Sequence, residues 1–107
     1  AVTMDDKSTS QNSKLKIFIN GNICQSREDF WNAYAKEIDP ESAKHFGKNL
    51  DAFNDAISAA GPGYPGECTI EITGTENLNK IFGKENFQYI IELLTKADFV
   101  DLITQEN

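Results

Sequence analysis

Two carboxylates that could do chemistry, those of Asp51 and Asp55, stand four positions apart in the segment HFGKNLDAFNDAISAAG at 45–61. The apolar residues of this segment recur at the spacing of one buried helix stripe: Leu50, Phe53, Ile57 and Ala60. Asn54 and Ser58 share the opposite, polar face with the two aspartates. Like charges at i and i+4 destabilise a helix by roughly 0.2–0.5 kcal/mol, so folding alone gives no reason to place both there. Two interpretations stay open, a solvated face and a functional site.

Catalysis by these residues would need partners that the sequence does not supply. Enzyme sites use a nucleophile with a base, a metal, or two carboxylates at a working distance. His45 is the only histidine, and neither Cys24 nor Cys68 has a sequence neighbour that would activate it. The patterns GxxxxGK[ST], HExxH and GxSxG do not occur. Asp51 and Asp55 alone would make an incomplete cation site, so we expect no catalytic residues, cofactor or metal.

The composition narrows the class of protein. A chain of 107 residues is the size of one ordinary domain, and no apolar run approaches the roughly 20 residues needed to cross a bilayer. Lys and Arg number 10 against 17 Asp and Glu, a net charge of −7, which repels nucleic acid and attracts basic partners. The two cysteines fit neither a zinc site nor a disulfide scaffold. We expect a cytoplasmic protein with reduced thiols that binds neither nucleic acid nor membrane.

The first residues of the chain differ in composition from the rest. Residues 1–13, AVTMDDKSTSQNS, are polar, with only Val2 and Met4 as sizeable apolar side chains. We interpret them as a disordered arm or a vector-derived remnant. Residues 14–107 are then expected to form a single domain.

Periodicity predicts the elements of that domain. Alternating residues predict strands at 14–19 and 67–73, and the apolar run at 99–104 is typical of a strand covered on both faces. Helical spacing predicts helices at 27–38, at 49–60 with Asn49 as its N-cap, and at 85–97. Residues 76–82 are interpreted as a short helix or a 3₁₀ turn. Residues 39–48 are interpreted as a connector. Because strands separated by helices pair in parallel, the sequence predicts an α/β fold, a three-stranded parallel sheet packed against three to four helices.

Five short motifs follow one another along the chain: ING at 19–21, Ser-x-x-Asp at 26–29, KE at 36–37, FGKNLDAFND at 46–55 and YP at 64–65. In this order and spacing the sequence resembles the barstar family, intracellular inhibitors of barnase-type ribonucleases, over nearly all of residues 15–104. The specific part is FG-x-NLDA-xx-D. The resemblance implies a barstar-like fold and a bacterial protein that is not an enzyme. It also implies a monomer that forms a one-to-one complex with a basic secreted ribonuclease.

The resemblance further implies which residues bind that partner. In barstar-like proteins the helix matching 49–60 and the loop beside it plug the ribonuclease active site. Carboxylates there take the place of RNA phosphates and accept hydrogen bonds from cationic side chains. Asp55 would occupy the position of the scissile phosphate, with Asp51 and Glu85 as further anionic contacts. The expected binding set is His45, Asn49, Leu50, Asp51, Asn54, Asp55, Ser58, Ala59, Ala60, Gly61 and Glu85.

Several positions depart from the family pattern. His45 stands where the family has an aromatic contact, and Asn54 and Ala60 stand where it has tryptophans. Large aromatic residues are common hot spots of binding energy in interfaces. We therefore expect either a different ribonuclease partner or weaker binding to barnase itself. The match at Tyr64-Pro65 implies a cis peptide bond, as in the family.

Two alternatives remain open beside the inhibitor. One is an immunity protein against a different class of toxin, because a fold fixes the scaffold and not the partner. The other, less favoured, is a small hydrolase that uses Asp51 and Asp55 as paired carboxylates or metal ligands.

Overall fold

Three parallel strands form the centre of the fold. The computed structural model describes residues 15–107; Lys14 and the arm expected at 1–13 lie outside the described residues. The strands pair in the order β1-β2-β3, both pairings are parallel, and β2 is central. Their bounds are Leu15–Asn20 for β1, Cys68–Thr73 for β2 and Val100–Thr104 for β3. The predicted three-stranded parallel sheet is therefore confirmed.

Five α-helices accompany the sheet in the described chain. The sequence predicts three to four, so the structure has one helix more than the upper end of that range. The helices are α1 (Arg27–Ala35), α2 (Pro40–Lys44), α3 (Leu50–Ala59), α4 (Thr75–Phe82) and α5 (Lys84–Lys96), with a 3₁₀ turn at Gly21–Ile23. Helix α2 lies inside the predicted connector. The Asp39 carboxylate accepts the N–H groups of Glu41 and Ser42 at 3.1 and 3.2 Å. Pro40 occupies the first helical position, where its missing N–H costs nothing.

All the fully buried strand residues point to one face of the sheet, where the helices pack. These residues are Ile17, Ile19, Cys68, Ile70 and Ile72. On the opposite face Phe18 and Ile103 remain 50% and 46% exposed. The expectation that 99–104 is covered on both faces is therefore wrong, because β3 is an edge strand of a sheet with helices on one side.

Trp31 joins three helices through aromatic contacts. Its ring centroid lies 5.3 Å from that of Phe53 on α3, 5.6 Å from Phe82 on α4 and 5.1 Å from Phe30 on α1. Phe46, which precedes α3, contacts Trp31 edge to face at 5.9 Å. Because such pairs add to the stabilisation from burial, this cluster fixes α3 against the rest of the core.

Both cysteines lie in the core and form no disulfide bond. Cys24 is 7% exposed and Cys68 is fully buried. Burial, and to a smaller extent the negative charge of Asp29, raises the pKa of Cys24. The thiols behave as small apolar side chains. In residues 15–107 no helix is long and apolar enough to cross a bilayer.

Because the helices cover only one face of the sheet, substitutions on its two faces should differ in their effect on stability. Ile70→Ala, in the fully buried centre of β2, should lower the free energy of unfolding by about 2–5 kcal/mol, because it leaves a cavity. The matched change Ile103→Ala, on the exposed face of β3, should cost less than about 1 kcal/mol. Urea denaturation of both variants measures the difference, and equal losses would contradict the assigned faces.

Candidate functional site

Helix α3 begins at a well-formed cap. The Asn49 side-chain oxygen accepts the N–H of Ala52 at 2.7 Å, and its amide nitrogen donates to the Gly47 carbonyl at 3.3 Å. The extended backbone of Asn49 is typical of an N-cap residue, so the predicted cap is confirmed. Asp51 follows in the first turn, where the helix dipole favours a negative charge.

The two faces of α3 differ as the sequence indicates. Phe53, Ala56 and Ile57 are buried, whereas Asp51 and Asp55 are exposed on the opposite side. The remaining predicted site residues of this segment are half-buried or exposed: Leu50, Asn54, Ser58, Ala59, Ala60 and Gly61. Helix α3 therefore presents a polar, acidic face to solvent and packs its apolar face against the core.

One residue of the predicted apolar stripe is misplaced. Ala60 is exposed rather than buried, because it ends the helix in the left-handed conformation at φ 55° and ψ 35°. The N–H groups of Ala60 and Gly61 both donate to the Asp55 carbonyl, that of Gly61 at 3.1 Å. The chain thus turns back over the end of α3 and brings Gly61 beside Asp55. The fully buried position belongs to Ala56 instead.

The acidic face carries two unpartnered charges. Within residues 15–107 neither Asp51 nor Asp55 accepts a hydrogen bond through its carboxylate or forms an ion pair. Arg27 lies across an open hollow of about 670 Å³ from Asp51. Its guanidinium group donates instead to the carbonyls of Phe82 and Ile81, at 3.0 and 3.4 Å. The two carboxylates therefore remain available to a cation from another molecule.

Two predicted site residues, His45 and Glu85, lie outside the segment 49–61 that contains α3 and its caps. His45 ends α2, just before α3, with its side chain 62% exposed and its Nε2 atom 3.9 Å from Glu41 Oε2. Glu85 is exposed in the first turn of α5, the helix that packs against α3. Phe82, the last residue of α4 and three residues before Glu85, lines the same hollow as Asp51.

The loop after α3 is held from both sides at Gly63. The Tyr34 hydroxyl donates to the Gly63 carbonyl at 2.7 Å, and the Gly63 N–H donates to the Ser42 hydroxyl at 2.8 Å. Burial, with a smaller contribution from Cys68, raises the pKa of Tyr34, so its hydroxyl stays protonated and can donate. Sequence reasoning missed this clamp, because its residues lie 29 and 21 positions apart and no local pattern links them.

The same loop departs from the family expectation. No cis peptide bond occurs between residues 15 and 107, so the cis bond expected at Tyr64-Pro65 is wrong. Gly63 and Gly66 make the required turns with φ of 99° and 71°. Residues 61–66, GPGYPG, also spell the glycine pattern GxGxxG. They connect α3 to β2, however, whereas the dinucleotide-binding pattern leads from a strand into a helix.

The described residues do not assemble a metal centre. No group of three or more His, Cys, Asp or Glu side chains in residues 15–107 is placed to hold a metal ion. A hydrolase that used Asp51 and Asp55 as metal ligands would need ligands from elsewhere, because a hard cation takes six or more oxygen ligands.

The comparison with protein families identifies a match. A family model described as Barstar (barnase inhibitor) matches residues 15–104, which is most of the 107-residue chain. No curated protein matches the sequence. The matched range contains the whole acidic face, the clamped loop and Glu85.

The clamp at Gly63 predicts a loss of stability in Tyr34→Phe. Removing the hydroxyl leaves the buried Gly63 carbonyl without its donor, which should cost about 1–3 kcal/mol. Urea denaturation measures the change, and Tyr64→Phe, whose hydroxyl has no bond within the described chain, is the control. Equal stability of Tyr34→Phe and the parent would mean that the clamp does not hold the loop.

Proposed function

The chain belongs to the barstar family of barnase inhibitors, and on this premise we propose that it blocks the active site of a basic, barnase-type ribonuclease with α3 and the loop that follows. Proteins of this family are inhibitors and not enzymes. The domain at 14–107 carries the activity in this proposal, and residues 1–13 lie outside it. The complex is one-to-one, formed in the bacterial cytoplasm by a free monomer with an enzyme otherwise secreted.

The observation that carries the proposal is the pair of unpartnered carboxylates on α3. Asp51 and Asp55 are like charges one turn apart, which disfavours the helix. The repulsion is a cost that falls on the free protein. A cationic partner would offset it, so the pair is better explained by binding than by folding.

The chemistry of the partner follows from these anions. An enzyme that cleaves RNA must offer cationic side chains to the phosphates of its substrate, and carboxylates accept charge-assisted hydrogen bonds from the same groups. In the proposal, Asp55 takes the place of the scissile phosphate, and Asp51 and Glu85 contact neighbouring cations. RNA is then excluded from the occupied cleft.

The rigidity of α3 supports this role. Asn49 caps its start, Phe53 and Ile57 anchor its buried face, and the bonds to Gly63 hold the loop behind it. A site that is already ordered loses less conformational entropy on binding. The carboxylates can therefore be presented at fixed positions, as mimicry of a phosphate backbone requires.

The side chains around Asp55 on α3 suggest how the partner differs from barnase. Asn54, Ala59 and Ala60 are small, and the Ser58 hydroxyl donates to Asn54 Oδ1 at 3.1 Å along the helix surface. Residues 50–60 of this surface therefore offer no exposed large aromatic side chain. In the proposal the cognate ribonuclease supplies the protruding side chains, His45 lies at the rim, and the complex with barnase itself is weaker than the cognate one.

Removing the charge of Asp55 should weaken the complex. Asp55→Asn keeps the size of the side chain and loses the charge-assisted bonds, which should raise Kd for barnase by about ten- to a hundredfold. Calorimetry and ribonuclease inhibition both measure the change. Glu71→Gln, on the sheet face away from the helices, removes the same charge and should leave Kd nearly unchanged. If Asp55→Asn bound as tightly as Glu71→Gln, the assignment of Asp55 would be wrong.

Salt should slow the formation of the complex. The inhibitor carries a net charge of −7 and its partner is basic, so attraction speeds their encounter and ions screen it. Stopped-flow measurements from low salt to about 1 M, where the screening length falls to about 3 Å, should show a steep decrease in the association rate constant and a much smaller change in dissociation. An association rate independent of salt would contradict electrostatic capture by the acidic face.

A further inference from the structure

We propose that Gly61 is a positioning residue, which sets the place of the Asp55 carboxylate because it has no side chain. This inference rests on the proposed function of Asp55. A Cβ atom at Gly61 would overlap the Oδ2 atom of Asp55, and would lie 2.8 Å from its Cγ and 3.4 Å from its main-chain oxygen. The carboxylate thus occupies the space that any other residue at position 61 would fill.

The end of α3 creates this contact. Ala60 adopts the left-handed conformation, and the N–H groups of Ala60 and Gly61 converge on the Asp55 carbonyl. The main chain is thereby folded back along the last turn of the helix. Two backbone hydrogen bonds consequently hold Gly61 against the Asp55 residue.

The need for glycine at position 61 is one of space and not of backbone conformation. Gly63 and Gly66 have positive φ, where a side chain causes strain, but Gly61 does not. An alanine at position 61 can therefore keep the backbone conformation of the turn. It also lowers the conformational entropy of the unfolded chain, which favours folding. The conflict falls on the Asp55 side chain alone, which must rotate away. Gly61→Ala consequently moves the anion without removing it.

Moving the anion should weaken binding because charge-assisted hydrogen bonds depend on distance and angle. Asp55 would keep its charge, its place in α3 and its attraction for a basic partner. Only the direction of its oxygens would change. A loss of affinity in Gly61→Ala would therefore reflect position, in contrast to the loss of charge in Asp55→Asn.

A double-mutant cycle tests the inference, with barnase as the probe. The parent, Gly61→Ala, Asp55→Asn and the double variant are compared by calorimetry at one salt concentration, with far-UV circular dichroism and urea denaturation as checks of the fold. We expect Gly61→Ala to raise Kd by about tenfold, through faster dissociation, because the charge that attracts the partner is kept. In the Asp55→Asn background the same change should have almost no effect, because the group that it displaces is already neutral.

The other outcomes separate the two proposals. If Asp55→Asn weakens binding and Gly61→Ala does not, the positioning role is wrong and the proposed function stands. If Gly61→Ala weakens binding equally in both backgrounds, the new methyl group obstructs the partner directly, and the positioning role is again wrong. If Asp55→Asn itself has no effect, the proposed role of Asp55 fails and the inference fails with it.

Discussion

The burial of Phe53 determines which face of α3 meets the solvent. Its ring packs against Trp31 and Tyr34, with centroids 5.3 Å apart in both pairs, and it is 1% exposed. Asp51 and Asp55 are two residues before and two residues after it, and at 100° per residue both fall on the far side of the helix. The packing of this one side chain thereby orients both carboxylates outward.

The acidic face is a place where local stability and function oppose each other. Asp51 suits the start of α3, where the helix dipole favours a negative charge, but Asp55 lies one turn further along the helix and repels Asp51. Real proteins violate such local rules mainly at functional sites. The cost is tolerated because the aromatic cluster and the Asn49 cap hold the helix independently of its charges. The same two charges would stabilise a complex with a cationic cleft.

Periodicity and motif spacing predicted most of the fold and named the elements that carry the candidate site. They did not predict α2, because five residues are too few to show a helical period. They assigned Ile103 to a covered strand, because an apolar run does not report how many faces of a sheet are covered. Ala60 was placed in the core because periodicity does not reveal where a helix ends. The clamp at Gly63 and the contact of Gly61 with Asp55 could not be predicted from the sequence, because they form only when the chain is folded.

The central claim is that α3 and RNA occupy the same place in the ribonuclease. Steady-state inhibition of barnase, measured at several concentrations of a short RNA substrate, tests this most directly. The account predicts competitive inhibition, in which the apparent inhibition constant rises in proportion to substrate concentration above KM while kcat at saturating substrate is unchanged. An inhibition constant that does not vary with substrate, or a ternary complex of enzyme, RNA and inhibitor, would contradict it.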